Sequence, residues 1–243
     1  MSSLHNIRMA MNIIEKDFRS DKFQVLWTLL FTLYMVLVTG ITIGQQFEDL
    51  GNVFPFVDFI LFFYVPMMSL WFSRRSFRYL NEDSYTQMLY YYRTLPIPVP
   101  VIVYSRLIMG LMAFLFNGLI YYGSIYLISP ATRAIMDIPS YLAFVGIWQG
   151  IGFLVSGFYI YWEFMVSGKA YFHRALLLIL ITSIAVVSMS MMGFSLFKFS
   201  AESAMRWKLL SPVMWGSLII GLGTFLLLGR RTLHMLKNKR DLA

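Results

Sequence analysis

Two carboxylates, Asp58 and Glu163, stand inside long apolar stretches, where an ionised side chain costs several kcal/mol unless it reaches water, a partner or its neutral form. Either one is therefore a candidate for proton, ion or substrate chemistry. Each also has a structural reading. Asp58 lies three residues after Pro55, shallow enough to snorkel or to cap the start of a helix, and Glu163 has Lys169 and Arg174 within reach as partners. The shallow depth favours the structural reading for both. The histidines, His5, His173 and His234, are far apart, and there is no cysteine. No thiolate, disulfide or histidine metal centre is expected. GxxxxGK[ST], HExxH and GxSxG are all absent, so the chain is expected to hydrolyse nothing by itself and to bind no cofactor.

A second group of candidates lies in the stretch 73–98, SRRSFRYLNEDSYTQMLYYYRTLPIP. From Ser84 to Leu95 the residues Tyr85, Met88, Leu89, Tyr92 and Leu95 recur at the spacing of one helical face, with Arg93 beside them. Asn81, Glu82, Asp83 and Ser84 supply N-cap candidates and first-turn carboxylates. Pro96, Pro98 and Pro100 then remove backbone donors and stiffen the chain into a hard corner. Two roles fit such a short amphipathic helix: an aromatic anchor lying in lipid headgroups, or a docking surface for another protein.

The elements that must hold these residues are membrane spans. The chain has 243 residues, 58% of them hydrophobic and 13% charged, more apolar surface than a soluble domain of this size buries. Six segments reach spanning length, at about Val25 to Ile43, Val53 to Phe72, Val99 to Ile128, Tyr141 to Phe164, Ala175 to Phe197 and Ser211 to Leu228. The net charge of +8 reflects loops and tails, not a nucleic-acid surface. With the N-terminus inside, all of the 20 lysines and arginines except Arg133, Lys198, Arg206 and Lys208 fall on the inner side, as cytoplasmic loops require. The expected place is a bacterial cell membrane, with both termini and the 73–98 loop in the cytoplasm. The outer loops, Gly44 to Asn52, Ser129 to Ser140 and Lys198 to Leu210, are too short to fold alone, so residues 1–243 form one unit. The N-terminus lacks the features of a cleaved signal peptide.

Within the spans, Gly40 with Gly44 and Gly146 with Gly150 have GxxxG spacing, and Gly152 with Ser156 repeats the small-residue pattern; packing within the chain is expected rather than a dimer seam. Ser183, Ser188, Met189, Ser190, Met191 and Met192 of span five fit either a substrate path or an irregular core.

The order of these features resembles the permease subunits of ABC-2 type transporters: a basic inner end of span two, an acidic patch, a short amphipathic helix, Leu95-Pro96-Ile97, and a third span opening with Arg106. The likeness covers nearly the whole chain. Residues 1–24 are similar to that family's amphipathic elbow helix, with Ile7, Met11, Ile14 and Phe18 as its apolar stripe and Arg8, Glu15, Lys16 and Arg19 opposite. LLSPVMWG opens span six in the same style, and 229–243 is a basic tail. One departure is that NEDSYTQML has no glycine where many relatives carry a Gly-Thr pair. The resemblance implies a cytoplasmic coupling helix on Tyr85 to Leu95, resting in a groove of a separate P-loop ATPase. It also implies two copies of that ATPase carrying ATP and Mg, a second permease copy or paralogue, and export as the usual direction. A non-transporting immunity or scaffold protein and an intramembrane enzyme are the alternatives from other classes.

Overall fold

The computed structural model describes residues 3–48, 55–71, 87, 91, 94, 95 and 97–238. Among them the regular structure is entirely helical: α1 (Ser3–Ser20), α2 (Gln24–Glu48), α3 (Pro55–Met67), α4 (Val99–Ile128), α5 (Pro130–Ile135), α6 (Ile138–Met165), α7 (Gly168–Met191), α8 (Leu196–Trp207), a 3-10 turn (Lys208–Leu210) and α9 (Pro212–Asn238). Five of these, α2, α4, α6, α7 and α9, are long and apolar enough to cross a membrane. This is the architecture of a multi-pass helical membrane protein.

The central helix is α6, packed most extensively on α9 and also on α3 and α8. Cross-helix contacts fix the directions. A Cβ on Gly146 would sit 2.7 Å from Met214 Cγ and one on Gly157 3.0 Å from Phe225 Cα, so α6 and α9 run parallel. Between those levels Gly150 and Gly221 bring the two backbones into direct contact. The Gly146 and Gly150 pair thus serves packing within the chain, and Gly152 faces Phe114 and Val65. Gly40 has open space around it and Gly44 only Ser129 nearby. Thr32 bonds Asn117, and Gly118 faces Gln149. With a Cβ on Gly110 3.1 Å from Ile160, α4 runs antiparallel to α6, and α2 packs along α4.

Four sequence expectations change. The second span is short: α3 has 13 residues, about 20 Å at the helical rise, against a hydrocarbon core of roughly 30 Å. Pro66 stands in its last turn, and beyond it the buried carbonyls are taken by side chains of other helices. Ser156 Oγ donates to Pro66 O at 3.1 Å and Asn117 Nδ2 to Met68 O at 2.9 Å. A helix end at this depth is tolerated because its acceptors are filled. The fifth span is displaced towards the N-terminus, Gly168–Met191 instead of Ala175 to Phe197, because Gly193 at φ 73° closes α7. Its amide and that of Phe194 return to Ser190 O and Met189 O at 2.9 Å each.

The outer stretch 198–210 is largely helical: Ser195 caps α8 by accepting from the Lys198 amide at 3.3 Å. In α1, finally, the buried face is Ala10 and Ile14, while Ile7 and Met11 are 42% and 43% exposed. The helix is rotated from the expected stripe, with the small Ala10 in place of Ile7 and Met11 on the covered face, and it packs on α4.

The third span begins at Val99 and ends at Ile128 as its sequence implied. Pro98 is the N-cap at φ −63°, ψ 137°, and Pro100 sits in the first turn, where a missing N–H costs nothing.

Candidate functional site

The inner corner is the first of three polar places. Of the residues expected to dock a partner, Tyr85, Met88, Leu89, Tyr92 and Arg93 lie outside the described residues, as does Pro96. Gln87, Tyr91 and Thr94 are helical, and Leu95 packs half-buried against the core together with Ile97 and Val99. Trp71, just before the stretch, and Tyr91, within it, rest on α1. The Phe18 ring meets Trp71 edge-on at 5.1 Å, and Lys16 Nζ lies 5.6 Å from the Tyr91 ring. Trp71 also donates its indole N–H to Met109 O at 3.2 Å. One turn below, Arg106 Nε lies 3.2 Å from Glu163 Oε1. The partner of Glu163 is thus Arg106 of α4, in place of the expected Lys169 or Arg174: those two begin a new helix after the break at Val166, whereas Arg106 enters from the packed flank.

The second place is at the opposite end of the bundle. Asp58 is buried, 2% exposed, and its Oδ1 accepts from the Phe197 amide at 2.6 Å. It does cap a helix, but the helix is α8, reached across 139 positions. Its carboxylate is therefore buried and does not snorkel, and it stands in the first turn of α3 while capping the start of α8. The Ser195 hydroxyl and the Leu196 amide turn to the same carboxylate, and a negative charge at a helix N-terminus is favourable. Past the far end of α8, Lys208 Nζ lies 2.6 Å from Asp137 Oδ2. That hydrogen bond, with a second from the Ser140 hydroxyl, holds the Asp137 carboxyl down to about 2. Lys208 has φ 48°, a conformation costing on the order of 1–3 kcal/mol for a residue with a Cβ.

The third place is a hydroxyl seam in the middle of the bundle. Tyr64 Oη donates to Thr32 Oγ1 at 2.9 Å, and Thr32 donates to Asn117 Oδ1 at 3.3 Å. Asn117 passes the chain to Met68 O. Thr28, Thr32, Thr39 and Gln46 are all buried on one stripe of α2. Sequence reasoning did not single out Thr32, Tyr64 or Asn117. The spacing of 4, 7 and 7 along α2, and a lone amide in span three, were the available signals. Trp148 was missed as well: it is fully buried, with Nε1 donating to Ser200 Oγ at 3.1 Å.

The seam yields a contrast. Tyr64→Phe should cost about 1 kcal/mol, since it leaves Thr32 short of a donor. Tyr122→Phe should be neutral or stabilising, because the buried Tyr122 hydroxyl finds no hydrogen-bond partner among the described residues. Thermal melts of the two purified variants in one detergent check the order, and a reversed order would refute the network.

These places do not converge on one reaction centre. Asp58 and Glu163 lie at opposite ends of the bundle. His173 Nδ1 turns to Lys169 O at 2.7 Å, and no cluster able to hold a metal occurs among the described residues. Met191 and Met192 fill no core, being 85% and 84% exposed, while Ser183 bonds back to Ile179 O. No family model, curated protein or solved structure matches the chain.

Proposed function

We propose that the chain is the membrane-spanning permease subunit of an ATP-driven transporter of the ABC-2 type, with export as its direction. In this reading a separate P-loop ATPase docks on Tyr85 to Leu95. Two ATPase copies, carrying ATP and Mg, act on this chain and a second copy or paralogue of it. The reading is carried by the mechanical placement of the stretch. Trp71 before it and Tyr91 within it lie against α1, and Pro98 leads from its far end directly into α4. A push on 84–95 would therefore reach α1, the end of α3 and the third span together. Nucleotide binding shifts such an equilibrium only if the docking face contacts the ATPase differently in the two states.

Purification from the native host in mild detergent should recover a P-loop ATPase subunit. Replacing Met88 and Tyr92 with serine should weaken that association roughly thirtyfold, the effect of truncating interface anchors worth about 2 kcal/mol, with membrane insertion unchanged. A stable native complex without such a subunit would overturn the reading. Normal association of the double variant would assign the tyrosines to the bilayer surface instead.

A further inference from the structure

We propose that α8 is a hinged lid over the ends of α3 and α6, turning on Gly193 and Lys208 and held shut by the Asp58 carboxylate. Among the described residues the positive-φ positions are these two, Gly193 at 73° and Lys208 at 48°, and they flank α8 on either side. On the hinge side the side chains of Met191 and Met192 beside Gly193 are 85% and 84% exposed and, among the described residues, pack on no other helix's core. The covered face is made of Phe197, Ser200, Ala201 and Ala204: Phe197 is its one large anchor, fully buried against Phe144, and the other three side chains are small. What α8 covers is an aromatic wall: Phe144 under Phe197, and Trp148, whose indole N–H is held by Ser200 and whose ring meets Phe62 behind it. The face is seated by polar ties at its two ends, the Phe197 amide on Asp58 beside Gly193 and Lys208 on Asp137 at the far side, with Ser200 on Trp148 between them, so loss of the Asp58 carboxylate loosens the Gly193 end while the packing of α6 on α9 stays in place. This inference rests on the geometry of α8 and is independent of the transport reading.

The absence of native cysteine permits a direct test on the purified full chain in nanodiscs. Ala204→Cys reports the covered face of α8, and Ala113→Cys, on α4 and equally buried, reports the body of the bundle. Adding Asp58→Ala should raise the rate of maleimide labelling at position 204 by about tenfold or more, the population change expected from losing one charge-assisted hydrogen bond, and leave position 113 unchanged. Asp58→Asn, which keeps an acceptor oxygen in place, should give a smaller rise in the same direction and serves if the alanine variant does not fold. Two results overturn the lid: labelling at 204 no faster than in the parent, or labelling at 113 rising in step with it, which would make Asp58 a support of the whole fold.

Discussion

Replacing Gly221 with valine should destabilise the chain by about 3 kcal/mol or more, the upper end of what overpacking does in a well-filled interior. The reason is the nature of the obstacle. A Cβ on Gly221 would run into the carbonyl of Gly150, and one on Gly150 into the backbone of Ser217 and Leu218, so no flexible side chain is available to swing aside. The helices would have to separate along the most extensive contact in the bundle. Gly223, two positions further along the same helix, has nothing within 4 Å of its Cβ position. Gly223→Ala should therefore be neutral or stabilising by up to about 1 kcal/mol, the helix propensity gained. Thermal unfolding in detergent, followed by loss of monodisperse protein, reads both. A Gly221→Val protein that melts with the parent would show that α6 and α9 are not in backbone contact.

The contrast between spans three and five explains what was legible in the sequence. Span three is punctuated at both ends by residues that act locally, Pro98 and Pro100 at one end and Ser129-Pro130 at the other, and its bounds follow directly. Around span five the apolar composition continues through the Gly193 turn into Phe197, and hydropathy has no term for a left-handed residue. The helix α8 is hidden for the opposite reason. Lys198, Glu202, Arg206 and Lys208 give 198–210 the composition of a loop, although Phe197, Ala201 and Ala204 already carry the i, i+4, i+7 spacing of a buried face.

The long-range ties were beyond reach in kind. That Asp58 meets the Phe197 amide, or that Thr32 meets Tyr64 and Asn117, depends on which helices are neighbours, and one sequence carries no record of that order. Polar residue types in apolar spans marked some of the places that matter, Asp58 and Glu163 among them. Their partners came only with the packing.

Glu163 supplies the second large effect. Its carboxylate is 14% exposed and the Arg106 side chain 24%, so both charges are mostly withdrawn from water, and Arg106 Nη1 also turns to Met109 Sδ at 3.7 Å. Breaking a fully buried pair from one side costs roughly 3–5 kcal/mol, because the remaining charge loses its compensation. The residual exposure here moderates that to about 2 kcal/mol. Glu163→Met and Arg106→Met should each lose about this much in thermal unfolding. The double variant should return to within about 1 kcal/mol of the parent, since replacing both ions with apolar side chains of similar volume removes the desolvation cost along with the attraction. Lys169→Met and Arg174→Met should each stay within about 0.5 kcal/mol. The pair joins α4, just past the proline corner, to the last turn of α6. If the inner stretch drives the spans, the double variant should keep its fold and yet uncouple ATP hydrolysis by the partner from transport, because the corner would no longer pull on α6 through a directed bond. Additive losses in the two single variants, with no recovery in the double, would show that Arg106 and Glu163 act separately, and the route from the corner into α6 would fail with them.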